Sequence, residues 1–147
     1  MRSIILTTLL LVPFGVTSEN SNPEDQAIDC LAKNMYYEAR GEGTRGIEAV
    51  GHVTMNRVKA PGFPSSVCEV VSQKIKKTCQ FSWVCMRNLP RIRLENWDEI
   101  RELAEQIYRG EKHDHTKGAT HFHSRSINPG WNLRLTTSIG QHLFYRK

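Results

Sequence analysis

Apolar residues recur at Ile28, Leu31 and Met35, three and four apart, which predicts one buried face of a helix. Asn22 can cap its start, Pro23 suits the first helical position, and Glu24 and Asp25 favour the positive end of its dipole. Extending the same stripe reaches Glu38, so a carboxylate is carried on the buried side one turn before Gly41 ends the helix. A second helix is predicted from Thr44 to Val58, with Ile47, Val50, Val53 and Thr54 inward and Glu48 towards solvent. Pro61-Gly62-Phe63-Pro64 breaks the chain, and a short helical stretch follows over residues 65–72.

Lys74 to Lys77 reads as a solvated basic linker, and residues 78–94 as a long loop without a period, tied by cysteines. Asn96-x-x-Glu99 resembles a capping box, opening a helix marked by Trp97, Ile100, Leu103, Ala104, Ile107 and Tyr108. Two short aromatic-rich strands are predicted around residues 119–123 and 142–145, with a turn at Asn128-Pro129-Gly130 between them. The pattern as a whole is α+β, mainly helical, in a single domain with a small β element. At 147 residues the chain has room for one core.

The N-terminus has another character. Met1-Arg2 is positive, Ile4 to Val16 is nearly free of polar side chains, and Val16-x-Ser18 fits a small-residue cleavage rule. Residues 1–18 therefore read as a signal peptide and 19–147 as the working domain. The apolar run is short of the roughly 20 residues a spanning helix needs, so no stable membrane insertion is expected after cleavage. A retained N-terminal anchor is the competing reading. Loss of Arg2 would lower the formal net charge from +5 to +4. A mild positive charge attracts anionic polymers, and export removes most of the nucleic-acid option. Four cysteines, Cys30, Cys68, Cys79 and Cys85, suit two disulfides in one of three connectivities in an exported chain; the rival is a zinc site, for which no C-x-x-C pair is present. Cys79 and Cys85 bracket a short loop, which favours 79–85 with 30–68.

Glu38 carries the sharpest chemistry. Burial penalises its charged form and raises its pKa, and a protonated carboxyl in a cleft is what glycoside cleavage needs. The alternative is a structural pairing with Arg40 or Arg57. Glu42 lies just past Gly41 and could point into the same cleft. His121 and His123, alternating on a strand, and His113-x-His115 could hold a metal, but no third ligand has clear spacing. No metal or cofactor is expected. Trp97 belongs to a helix core; Trp83 and Trp131 lie among polar loop residues, where they pack structurally or against a sugar ring.

Met35-Tyr36-Tyr37-Glu38-Ala39-Arg40-Gly41-Glu42 resembles the Y-x-E-A-R-G-E signature of SleB-like, spore-cortex-lytic cell wall hydrolases. Ala49 to Val58 is similar to that family's second helix ending in N-R-V, and Phe63 to Val71 to its F-P-x-S/T-V-C-x-V-V segment. Cys79-Gln80-Phe81-Ser82-Trp83 matches its C-Q-F-S-W loop. Ala119 to His123, Pro129-x-Trp131 and Ile139-Gly140-x-His142-x-Phe144-Tyr145 complete an ordered set across residues 28–146.

The resemblance implies a lysozyme-like fold related to lytic transglycosylases, with Glu38 as catalytic acid. It implies a peptidoglycan substrate cut between N-acetylmuramic acid and N-acetylglucosamine, a 1,6-anhydro product, and action in the periplasm or outside the cell. Gln80 and Ser82 would hydrogen-bond substrate near the cleaved bond. Glu42, Trp83, His121, Trp131, His142 and Tyr145 are further candidates for the cleft. No wall-binding repeat is read ahead of the catalytic part, which puts spore-cortex specificity in doubt. The rivals are an N-acetylmuramoyl-L-alanine amidase, which needs zinc on three spaced ligands, and a non-catalytic glycan-binding protein.

Overall fold

The computed structural model describes residues 22–147; the expected signal peptide lies outside the described residues. Helix α1 runs Pro23–Ala39, capped by the Asn22 side chain on the Glu24 amide, and α2 runs Gly43–Lys59. Both fall where the apolar spacing places them. Ile28, Leu31 and Met35 are wholly buried, with Val50, Val53 and Thr54 of α2. Burial of each such aliphatic side chain is worth about 1.5–3 kcal/mol. Gly51 lets α1 and α4 close onto α2, since a Cβ there would stand 2.9 Å from Met35 Sδ and from Ile107 Cδ1. Helix α4 spans Leu94–Tyr108 and buries Ile100, Leu103, Ala104 and Ile107 against the same core. Trp97 packs at its margin.

Three sequence expectations need correction. The capping box does not form: α4 begins at Leu94, with Arg93 at the cap position and no side-chain cap. Glu48 is not a solvent-facing residue; its side chain is 14% exposed and pairs with Lys112 at 3.2 Å. The basic segment after α3 (Val67–Ser72) is a small hairpin, β1 Lys74–Ile75 and β2 Thr78–Cys79, turned by Lys76 at φ 57°.

The tail forms three strands, β3 His121–Ser124, β4 Arg134–Ile139 and β5 His142–Arg146, antiparallel in the order β3-β5-β4. Strand β4 escapes the sequence pattern because it is largely polar and half exposed, burying only Ile139. Phe144 and Phe122 share a face with Ile139, turned towards Ala49 and Val53 of α2, and make a second small core. Disulfides join Cys30 to Cys68 and Cys79 to Cys85, the pairing that the loop spacing favours. The first staples α1 to α3; the second closes the loop that carries a 3-10 turn, Ser82–Cys85. Among the described residues no helix is long and apolar enough to cross a membrane.

Candidate active site

Glu38 sits in the last turn of α1, one turn beyond Asn34. Asn34 is fully buried, donating to Thr54 Oγ1 at 3.0 Å and accepting from Trp83 Nε1 at 2.8 Å. A buried amide left unpaired would cost about 1–3 kcal/mol, so these bonds fix α1, α2 and the 3-10 turn together directly below Glu38. The Glu38 carboxyl is half-buried, and loss of water pushes its pKa up to about 7 against the opposing charge of Arg57. Arg57 is itself buried and drawn down to about 10 by desolvation. Among the described residues Glu38 forms no ion pair, so the structural pairing with Arg40 or Arg57 is not made.

Arg57 is held in place by other contacts. Its Nε donates to Thr120 O at 2.7 Å, and its guanidinium lies over Phe81 (4.9 Å) and Phe63 (5.4 Å). Nη1 is buried with no protein partner. The neighbouring Asn56 donates to Asp114 Oδ2 at 2.9 Å and Ala119 O at 3.1 Å, fixing the loop that leads into β3. The Asn-Arg pair near the end of α2 therefore sets where β3 starts.

Strand alternation puts His121 and His123 on one face and Phe122 on the other. Trp131, 41% exposed, stands edge-on to His121 (5.5 Å), His123 (5.4 Å) and Tyr145 (5.9 Å). Tyr145 stacks on His123, and its hydroxyl lies 3.0 Å from His123 Nε2. Burial and the charge of Arg57 lower the His121 pKa, which favours its neutral ring. A cavity of about 370 Å³ opens beside this wall, lined in part by Phe63, Gln73, Gln80 and His121. Gln80 is seated by the hydrogen bond its backbone N–H donates to Gln73 O, and Ser82 is exposed at the head of the 3-10 turn.

Other candidates are placed differently. Trp83 spends its N–H on Asn34 and stacks one face on Tyr37 at 4.8 Å. Glu42 accepts the Gln141 amide at 2.7 Å and ties the α1–α2 junction to the β4–β5 turn. His142 belongs to the opposite sheet face, against Phe122 and Phe144, and burial lowers its pKa. The rings of His113 and His115 touch, yet among the described residues no group of three or more donors could hold a metal. Sequence reasoning missed Asn34, Asn56 and His123 as organisers. For Asn34 the available signal was a polar residue interrupting an otherwise apolar helix face.

A family model described as Cell Wall Hydrolase matches residues 41–145, a span that opens three residues past Glu38. The fold is similar to the catalytic domain of the germination-specific lytic transglycosylase SleB from Bacillus anthracis, at 25% identity and a TM-score of 0.64. That similarity covers 92% of this chain and 100% of the other. The catalytic domain of the Bacillus cereus SleB protein is similar at 23% identity and a TM-score of 0.65, covering 86% of this chain and 94% of that one. The mainly helical, lysozyme-like α+β architecture expected from the sequence is thus the one observed. No curated protein matches the sequence.

Proposed function

The chain belongs to the Cell Wall Hydrolase family, and from that premise we propose that it cleaves peptidoglycan glycan strands, with Glu38 as catalytic acid and then base. The observation that carries this reading is a half-buried, unpaired carboxyl whose pKa stands at about 7. Near neutrality such a group can both give and take a proton.

Glu38 protonates the oxygen that links N-acetylmuramic acid to N-acetylglucosamine, and the C1–O bond breaks. The departing proton leaves a carboxylate, which Arg57 steadies by its charge without neutralising it. That carboxylate takes the proton of the muramoyl 6-hydroxyl, O6 closes on C1, and a 1,6-anhydro ring forms with Glu38 reprotonated. No water is consumed and no second carboxylate is needed. Glu42 supports this reading, since its carboxylate is engaged by the Gln141 amide. Both SleB catalytic domains share the fold, and the Bacillus anthracis protein is a lytic transglycosylase. The Trp131 wall offers an apolar face to sugar rings, with His121 and Tyr145 beside it, and Gln80 and Ser82 would meet the polymer near the cut. Two disulfides suit a secreted or periplasmic enzyme.

Digestion of purified peptidoglycan followed by mass spectrometry of the muropeptides tests the reading. Anhydromuramoyl ends are expected, and Glu38→Gln should lower their yield by a factor of about 10²–10⁴. Reducing muramic ends would replace the ring closure by hydrolysis. Free stem peptides, lost on chelation, would point to an amidase.

A further inference from the structure

On the side of α1 turned away from Glu38, a second cavity of about 310 Å³ is lined by Tyr36, Arg40, Pro90, Arg91, Arg93 and Asn96. Tyr36 and Arg40 are four apart and share a helix face, roughly opposite the one Glu38 uses. The segment that supplies the other arginines is fixed against α1: Tyr37 Oη donates to Pro90 O at 2.9 Å, and the Arg93 amide donates to Tyr36 Oη at 3.0 Å. The Arg40 guanidinium packs over the Tyr36 ring at 5.1 Å. The backbone of the pocket is therefore held, and the side chains of Arg40, Arg91 and Arg93 stand exposed around it.

Its charge is unbalanced. Among the described residues, none of Arg40, Arg91 and Arg93 forms an ion pair, although Glu95 and Glu99 lie on the adjoining helix. Arg93 also occupies the start of α4, where the helix dipole disfavours a cation. Three like charges gathered at one cavity repel each other unless an anion enters. Planar guanidinium groups match a carboxylate by paired N–H donors.

The geometry points to an anchoring site for carboxylates of the peptide stems on peptidoglycan, separate from the cleft that holds the cut bond. This rests on the proposed substrate, which carries such stems on its muramoyl sugars. A stem held on the far side of α1 would keep the enzyme on the polymer between cuts.

The test uses Glu38→Gln protein, so that bound polymer persists, and measures pelleting with intact sacculi and with glycan stripped of stems by an amidase. Arg91→Gln/Arg93→Gln alters two exposed side chains and should weaken binding to intact sacculi about tenfold, with no change on stripped glycan. Arg40→Gln added to that pair should weaken it further. Equal losses on both polymers, or none, would overturn the site. Losses confined to sacculi bearing phosphate-rich polymers would overturn the peptide assignment. Cleavage by the parent enzyme is scored separately, so an inactive parent would count against the substrate reading and not against the anchor.

Discussion

Glu38 on α1 and Arg57 on α2 each shift the ionisation of the other without an ion pair joining them. Desolvation raises Glu38 and lowers Arg57, and their mutual attraction opposes both shifts. A direct bridge would have driven the Glu38 pKa down and left no proton to donate at neutral pH. In the proposed mechanism the lack of a direct bridge is therefore what keeps Glu38 able to donate.

The pH profile follows. If protonated Glu38 is the acid, kcat/KM should fall about tenfold per pH unit above about 7, the level to which its pKa is raised. Arg57→Gln removes the lowering charge, so this limb should move to higher pH, whereas Arg57→Lys should leave it in place. A limb that ignores the charge at position 57 would remove Arg57 from the account.

Glu38 also carries a stability cost with a defined sign. Its folded pKa of about 7 lies above the ordinary 4.5, so the folded state holds the proton more tightly. The stabilisation is fully present below 4.5, shrinks as pH rises, and is gone above about 7. The shift corresponds to about 3 kcal/mol. Glu38→Gln lacks this slope, so relative to the parent it should gain about 2–3 kcal/mol between pH 4 and pH 8 in urea titrations.

Much of this arrangement is legible in the sequence, for reasons that differ by element. The 3–4 spacing in α1 predicts the side of Glu38 because burial of Ile28, Leu31 and Met35 fixes the rotation of the helix. Strand β4 is hidden because its stability comes from pairing with β5, which local polarity does not report. The α4 cap misleads because tertiary bonds, Arg93 amide to Tyr36 Oη among them, place the start of that helix. Asn34 stands out as a polar residue on an apolar helix face, but its role is hidden for a similar reason: its partners lie 20 and 49 residues away.

The disulfides differ in the loops they close. Cys30–Cys68 spans 38 residues and Cys79–Cys85 spans 6. Constraint of the unfolded chain predicts losses of about 4 and about 2 kcal/mol on removal. Replacing Cys30 and Cys68 by Ala should therefore lower Tm more. The 79–85 pair should instead affect activity more if Gln80 and Ser82, carried on its loop, meet the polymer as proposed.

The Glu42 contact with the β4–β5 turn depends on Gly140. At φ 57° it adopts a conformation glycine favours, and a Cβ would run into the Glu42 carboxylate. Gly140→Ala should cost about 1–3 kcal/mol. Glu42→Gln should cost less, about 1–2 kcal/mol, since the amide of Gln141 can still find an oxygen. Because one contact is involved, the double variant should lose less than the sum, which a thermodynamic cycle in denaturant measures.

Trp131 separates binding from folding. Among the described residues it lies outside both cores and its ring contacts are with His121, His123 and Tyr145, so Trp131→Ala should change stability by less than about 1 kcal/mol. If its exposed face stacks on sugar rings, the same change should raise KM for soluble glycan fragments several-fold, with kcat moved much less. Trp131→Phe keeps an apolar face and should recover part of the loss. Should Trp131→Ala instead lower kcat at unchanged KM, the wall would be acting on the position of Glu38 and not on the sugar.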